Sequence, residues 1–170
     1  TVRYLVAQGR RVFVDCEHFF DGYKHDKDYG VSLLKAAHEA GASVGVLCDT
    51  NGGSLPSEIF RITKDVLERS GARIGIHCQD DTACAVANTI AAVEAGATHA
   101  QCTANGYGER TGNCNLTSII PIVAFKLKKT GVPKSSLRQL KELSQFVDEI
   151  ANMRHNPRQP WVGSAAFSHK

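Results

Sequence analysis

The sequence lacks any apolar run of transmembrane length, and it has no basic-then-apolar opening of the kind that marks a signal peptide. A membrane partner is therefore not expected, and the compartment implied is the cytoplasm. A strong charge of either sign is also missing. Lys and Arg number 20 against 17 Asp and Glu, and the resulting net +3 is spread along the chain, which gives nucleic-acid binding little support. No Gly-rich phosphate loop opens a helix, which counts against a phosphate-binding βα barrel. Six cysteines are present (Cys16, Cys48, Cys78, Cys84, Cys102 and Cys114), but four sit at or near the ends of apolar strands rather than in loop-rich, secreted-style spacing. They read as reduced, small residues of core or pocket.

What is present is a chain of 170 residues, 42% hydrophobic, long enough for one sizeable core and too short for two ordinary domains. Residues 1–8 read as the last turns of a helix stopped by Gly9. Residues 11–17 form a strand ending in polar groups, followed by an aromatic loop over 18–23. Val31, Leu34, Ala37 and Ala40 have helical spacing over 28–40, ending at Gly41. Residues 43–48 are the next strand, and 49–53 (Asp-Thr-Asn-Gly-Gly) its loop. Pro56 opens a helix carrying Ile59, Ile62, Val66 and Leu67 up to Gly71. After Arg110 a helix is expected around 116–129 with Pro121 in its first turns. Ser135 or Ser136 then caps another, with Leu137, Leu140, Leu143, Phe146, Val147 and Ile150 on one face. Residues 154–160 read as a polar, proline-bearing linker, and 161–170 show no strong period.

The units repeat. Residues 41–48 match 71–78, residues 36–42 match 91–97, and the matches fall on helix ends, glycine stops and the strands that follow. Strand after strand ends in Cys and a polar residue: Cys16-Glu17, Cys48-Asp49, Cys78-Gln79, Cys102-Thr103. Four consecutive strand-then-helix units imply parallel strands joined by helical crossovers, an α/β architecture that places its sites at the C-terminal strand ends. At the third such end Ile74 and Ile76 alternate with Gly75 and His77. His77 and Gln79, two apart, point the same way, so an imidazole and an amide oxygen converge where a divalent ion or a ligand oxygen would sit. Taken alone, His77 is more readily read as a satisfied histidine at a strand end, and it is the context that shifts the balance.

Several segments together carry a family resemblance: 15–24 (Asp-Cys-Glu-His-Phe-Phe-Asp-Gly-Tyr-Lys), 47–56, Gly75-Ile76-His77 with 85–88, Asn105-Gly106-Tyr107-Gly108-Glu109-Arg110 with Gly112-Asn113, and 162–170. On these the chain resembles the citramalate synthases of the 2-isopropylmalate and homocitrate synthase family, relatives of the HMG-CoA lyases. The resemblance implies a (β/α)8 TIM barrel, a fold that needs roughly 250 residues when complete. It makes residues 1–132 the second half of that barrel, a half barrel of about four parallel βα units. Residues 133–170 become the helix and linker that follow. The family's Arg-Asp pair on the first barrel strand and its later Gly-Gly-Ile-His element have no counterpart here.

Carried over residue by residue, the resemblance makes His77, Gln79 and Asn113 the metal-site candidates for manganese, magnesium or zinc. Glu17 and Thr50 match positions that contact the 2-oxo acid, pyruvate or a longer one, with Glu17 the catalytic candidate. Acetyl-CoA is the implied co-substrate. Glu109 and Arg110 form a structural ion pair, while Gly106 and Gly108 permit a tight turn. Two departures stand out. Gln79 replaces a second histidine of the family, which weakens or abolishes metal binding unless its amide oxygen or Asp80 substitutes, and Cys102 replaces a small glycine.

The implied chemistry is a Claisen condensation, in which a divalent metal polarises the ketone, an acetyl-CoA enolate attacks it, and thioester hydrolysis follows. One expectation is a piece of such an acyltransferase, inactive alone. The other is a non-catalytic half-barrel remnant that has lost its metal and self-associates as a homodimer, since open parallel edges favour pairing.

Overall fold

A computed structural model describes residues 1–129 and 131–168, in two compact units, Thr1–Gln101 and Cys102–Lys170. His169 and Lys170, which close the last segment of the resemblance, lie outside the described residues.

In the first unit α1 (Val2–Ala7) precedes β1 (Phe13–Cys16), α2 (Phe19–His25), α3 (Lys27–Glu39), β2 (Val44–Asp49), α4 (Pro56–Ser70), β3 (Ile74–Cys78), α5 (Ala85–Ala95) and β4 (His99–Gln101). The strands are parallel and neighbour one another in chain order, with helices as the crossovers. This is the parallel α/β pattern that the repeat implies, and it is consistent with the half barrel that the resemblance implies. Pro56 takes the first helical position of α4, and the Glu58 carboxylate accepts from the Leu55 N–H at 3.3 Å, satisfying a backbone donor that the helix itself leaves open.

The aromatic stretch after β1 is helix α2 rather than a loop. Phe19, Phe20 and Tyr23 are all buried, one helical turn bringing the first and last to the same face, and their rings pack at 5.9 and 6.2 Å. Burying each large side chain contributes about 1.5–3 kcal/mol, which outweighs the cost of about 1 kcal/mol for Gly22 inside the helix. The Tyr23 hydroxyl donates to Asp65 Oδ2 on α4 at 2.5 Å and ties α2 to the next crossover.

Register divides the sheet residues into two faces. Asp15 lies opposite Val46, Val46 opposite Gly75, Cys48 opposite His77 and His77 opposite Gln101. With side chains alternating along each strand, Phe13, Asp15, Val44, Val46, Cys48, Gly75, His77, His99 and Gln101 share one face. Leu47, Ile74 and Ile76 lie on the other, fully buried. Both faces of β2 and most of β3 are buried, so the alternation around His77 separates two packed faces rather than a packed face from a wet one.

On the first face the outer strands meet. Gln101 of β4 hydrogen-bonds Asp15 of β1 at 2.9 Å, and the His99 and Phe13 rings lie 4.8 Å apart between centroids. Side chains of first and fourth strands touch across β2 and β3 only if the sheet curls steeply. Gly75 makes room for this, because a Cβ there would stand 3.0 Å from His99 Cδ2 and Val44 Cγ1 and 3.1 Å from Val46 Cγ2.

In the second unit α6 (Leu116–Pro121) passes into a π-helical turn (Ile122–Lys126), and a 3-10 turn (Lys134–Gln139) leads into α7 (Leu140–Ile150). Pro121 thus ends α6 instead of opening a long helix. It has no N–H to continue the ladder, and the next bonds run five residues back, as from Leu127 to Ile122. Gln139, not a serine, occupies the N-cap of α7, without a side-chain cap. The apolar face expected to pack is mostly outward: Leu143, Phe146 and Ile150 are 38%, 58% and 71% exposed, whereas Ser144 and Asp148 are buried. The segment after α7 is not a free linker either, since it contributes buried Gln159 and Val162.

Gly75→Ala is expected to destabilise the chain by about 1–3 kcal/mol, because overpacking against three neighbours exceeds the roughly 0.4–1 kcal/mol gained by stiffening the unfolded chain. Gly53, where an added Cβ meets nothing within 4 Å, serves as the control in the same urea titration, with a change inside about 0.5 kcal/mol.

Candidate active site

The polar ends of β1 and β2 are joined. Thr50, just past β2, donates from Oγ1 to Glu17 Oε2 at 2.8 Å and accepts from the His18 N–H at 2.8 Å. Asn51 Nδ2 donates to Asp21 Oδ2 at 2.7 Å, so the loop after β2 is also pinned to α2. Glu17 is exposed and Thr50 half-buried. The two residues assigned to the oxo acid therefore meet.

Beneath them Asp49 is buried, accepting from the Ser54 N–H and from Asn88 Nδ2, both at 3.4 Å. Burial pushes its carboxyl above the usual range, against the lowering effect of the Ser54 hydrogen bonds. The thiols on these strands are held protonated. Burial, then the charges of Asp15 and Glu17, push Cys16 up to about 11, and burial pushes Cys48 further in the same direction. None of the six cysteines is in a disulfide, and these two are packing residues rather than nucleophiles.

His77 is half-buried on β3 with Nδ1 2.8 Å from Gln101 Oε1. Gln101 is in turn bonded to Asp15. Gln79 is buried immediately past β3, and its N–H donates to the Asp49 carbonyl at 3.3 Å. Asn113 belongs to the second unit. The loop that carries it closes on itself through the Asn113 N–H to Gly106 O bond at 2.8 Å. Gly108 packs against the Asn113 amide nitrogen, leaving no space for a Cβ. Asn113 Oδ1 is buried without a hydrogen-bond partner among the described residues. An orphaned amide oxygen is what a hard cation takes up. No group of three His, Cys, Asp or Glu gathers among the described residues, so within the first unit His77 and Gln79 offer one imidazole and one neutral amide, a pair that fits a divalent ion only with anionic ligands added. The Glu109–Arg110 pair is present at 3.8 Å, but both side chains are largely exposed, and such pairs contribute little.

The HMGL-like profile matches residues 1–147. The chain belongs to the HMGL-like family. Over its full length it is 56% identical to the (R)-citramalate synthase of Streptomyces coelicolor and 50% to that of Sulfolobus acidocaldarius, covering 32% and 33% of those proteins. It is 39% identical to the 2-isopropylmalate synthase of Shewanella amazonensis over 81% of this chain and 27% of that protein. The chain thus spans about a third of the length of these relatives. Among HMGL-like folds of known structure, the HMG-CoA lyase of Bacillus subtilis superposes with a TM-score of 0.65 at 24% identity, over 74% of this chain and 44% of that one. The carboxyl transferase domain of Rhizobium etli pyruvate carboxylase gives 0.73 at 18%, over 89% and 26%. At these identities the two structures speak for the TIM-barrel type of fold alone. Among the described residues no helix is long and apolar enough to cross a membrane.

Two groups of functional interest escaped the sequence reading. One is the Asp15–Gln101 pair behind His77. The regularity that points to it is the residue before the strand-end cysteine, polar in three of four units (Asp15, His77, Gln101), whereas the residue after it drew the attention. The other is a buried network around Asp148, whose carboxylate accepts from Asn105 Nδ2 and Tyr107 Oη at 2.6 Å and from His155 Nδ1 at 2.7 Å. Gln159 Nε2 extends it to Asn105 Oδ1 at 3.0 Å. Burial alone would raise the Asp148 carboxyl, but hydrogen bonds from Tyr107, His155 and Asn105 outweigh it and hold the group below the usual range. These bonds invert α7, drawing its polar side inward.

A depressed carboxyl stabilises the fold above its unfolded-state value near 4, and this contribution fades as pH falls towards the folded value. Asp148→Asn is expected to cost about 3 kcal/mol at neutral pH and to flatten the acid limb of the stability profile. Fluorescence of Trp161, the single tryptophan and a residue of this unit, reports it during urea unfolding.

Proposed function

We propose that this chain supplies the 2-oxo-acid side of a citramalate synthase-like acyltransferase, one that joins acetyl-CoA to pyruvate or a related 2-oxo acid. The observation that carries the reading is the bonded Glu17–Thr50 pair at the C-terminal strand ends, in a chain 56% identical to an (R)-citramalate synthase. In this reading residues 1–132 form the second half of the catalytic barrel and 133–170 the segment that follows. The protein works in the cytoplasm as a homodimer, and condensation needs residues beyond these 170.

His77, Gln79 and Asn113 would hold a divalent ion, the substrate carboxylate completing its ligands. When bound, that ion would polarise the ketone. Glu17, oriented through Thr50, would accept the hydrogen bond of the product hydroxyl once the alkoxide left by carbon–carbon bond formation has taken a proton from water. Thr50 can turn its hydroxyl from Glu17 to the substrate, because the His18 N–H keeps the oxygen in place. The buried Asp49 below, bonded to Ser54 and Asn88, holds the loop that carries Thr50.

A second reading, a half barrel that self-associates without catalysis, is favoured by Gln79 and by the absence of a carboxylate in the proposed donor set.

Calorimetric titration of manganese and then pyruvate, with the mass in solution recorded in the same buffer, tests both. The acyltransferase reading expects pyruvate to bind only after manganese, and the affinity for both to fall at least about tenfold in His77→Ala. A well-folded dimer that binds neither contradicts it and supports the second reading.

A further inference from the structure

The polar atoms around His77 admit one proton arrangement. Gln101 Nε2 lies 2.9 Å from Asp15 Oδ1, and Gln101 Oε1 lies 2.8 Å from His77 Nδ1. An ionised carboxylate only accepts hydrogen bonds, so the NH2 end of the amide must face Asp15 and the carbonyl end His77. The carbonyl also only accepts. Nδ1 therefore carries the proton, and since a neutral imidazole has one, Nε2 keeps its lone pair. Free histidine in water prefers the opposite tautomer, so this arrangement is imposed by the neighbours.

The three residues come from three strands, Asp15 on β1, His77 on β3 and Gln101 on β4, and register puts them on one face. Gln101 lies directly opposite His77, within reach of its ring, while Asp15 arrives only because the sheet curls. Without Asp15 the amide has no reason to choose one orientation, since its two ends are nearly the same in shape.

We propose that Asp15 and Gln101 are a positioning pair that locks His77 in the Nδ1–H tautomer and presents Nε2 as an electron-pair donor. Neither touches the reacting atoms; each acts through His77. The ligand of Nε2 is a divalent cation, and that clause rests on the proposed function, whereas the tautomer does not.

The test is nitrogen-15 NMR of histidine-labelled, metal-free chain above about pH 8, where an ordinary histidine is neutral. Loss of one signal in His77→Gln assigns the ring. In the unsubstituted chain His77 is expected to show a protonated Nδ1 and a bare Nε2. In D15N, which changes no shape, the amide of Gln101 can turn either way, and a mixture of tautomers is expected. Adding Q101E to D15N restores an obligatory acceptor at Nδ1 and is expected to restore the single tautomer. A role in packing alone would leave the tautomer unmoved in D15N, and that result overturns the proposal, as does an Nε2–H signal in the unsubstituted chain.

Manganese titration of the same samples separates the two ideas. Affinity is expected to fall about 10–100-fold in D15N and to return in the double variant. A chain with the expected tautomers that binds no manganese upholds the positioning pair and overturns the metal reading of His77.

Discussion

The contact between first and fourth strands is the constraint on which the first unit depends. A parallel sheet with ordinary twist keeps strands three places apart well separated. Here Phe13 meets His99 and Asp15 meets Gln101 over the middle of the sheet. The curl is possible because Val44, Val46 and Cys48 form a compact floor on which Phe13 packs, and because Gly75 contributes no side chain beneath His99. Burial lowers the proton affinity of His99, which keeps its ring neutral against Phe13 and suits an aromatic rather than an ionic contact. Arg11 lies over the other part of this cluster, 4.9 Å from the Phe13 ring centroid.

The same curl gathers the polar strand ends. Each strand ends in groups that cannot be buried unpaired, and on a flat sheet they would be solvated separately. Brought together they satisfy one another: Glu17 with Thr50, Asp49 with Ser54 and Asn88, His77 with Gln101. The cost of desolvation is offset by hydrogen bonds, while Glu17 remains open to solvent. The second unit follows the same physical rule in another form. There one buried carboxylate, Asp148, collects three donors, and the helix that carries it turns its apolar side outward to make this possible.

Much of this was legible in the sequence. The β1–β4 units, the glycine stops and the opening of α4 by Pro56 follow from period and punctuation, because these are local properties of the chain. Thr50 and Glu17 were marked by resemblance, and the structure brings them together. Other features were hidden because they depend on what meets a residue across space. The aromatic stretch at 19–23 looks like a loop when Gly22 and the flanking polar residues are weighed locally, and becomes a helix because three rings share one core. In α7 the strong apolar stripe is a true helical signal, yet its direction is set by Asn105 and Tyr107, some forty residues earlier, together with His155 just past the helix. Gln101 is a single amide in a three-residue strand, and only register reveals that it stands between an imidazole and a carboxylate.

The central claim, that the sheet curls until its outer strands touch, is tested most directly by a double-mutant cycle on Phe13 and His99, each replaced by leucine. Equilibrium unfolding in urea would give the coupling between them. The account expects about 0.5–1.5 kcal/mol, the range of an aromatic pair in contact. Additive losses, with no coupling beyond error, would mean that the two rings do not meet and that the sheet is open.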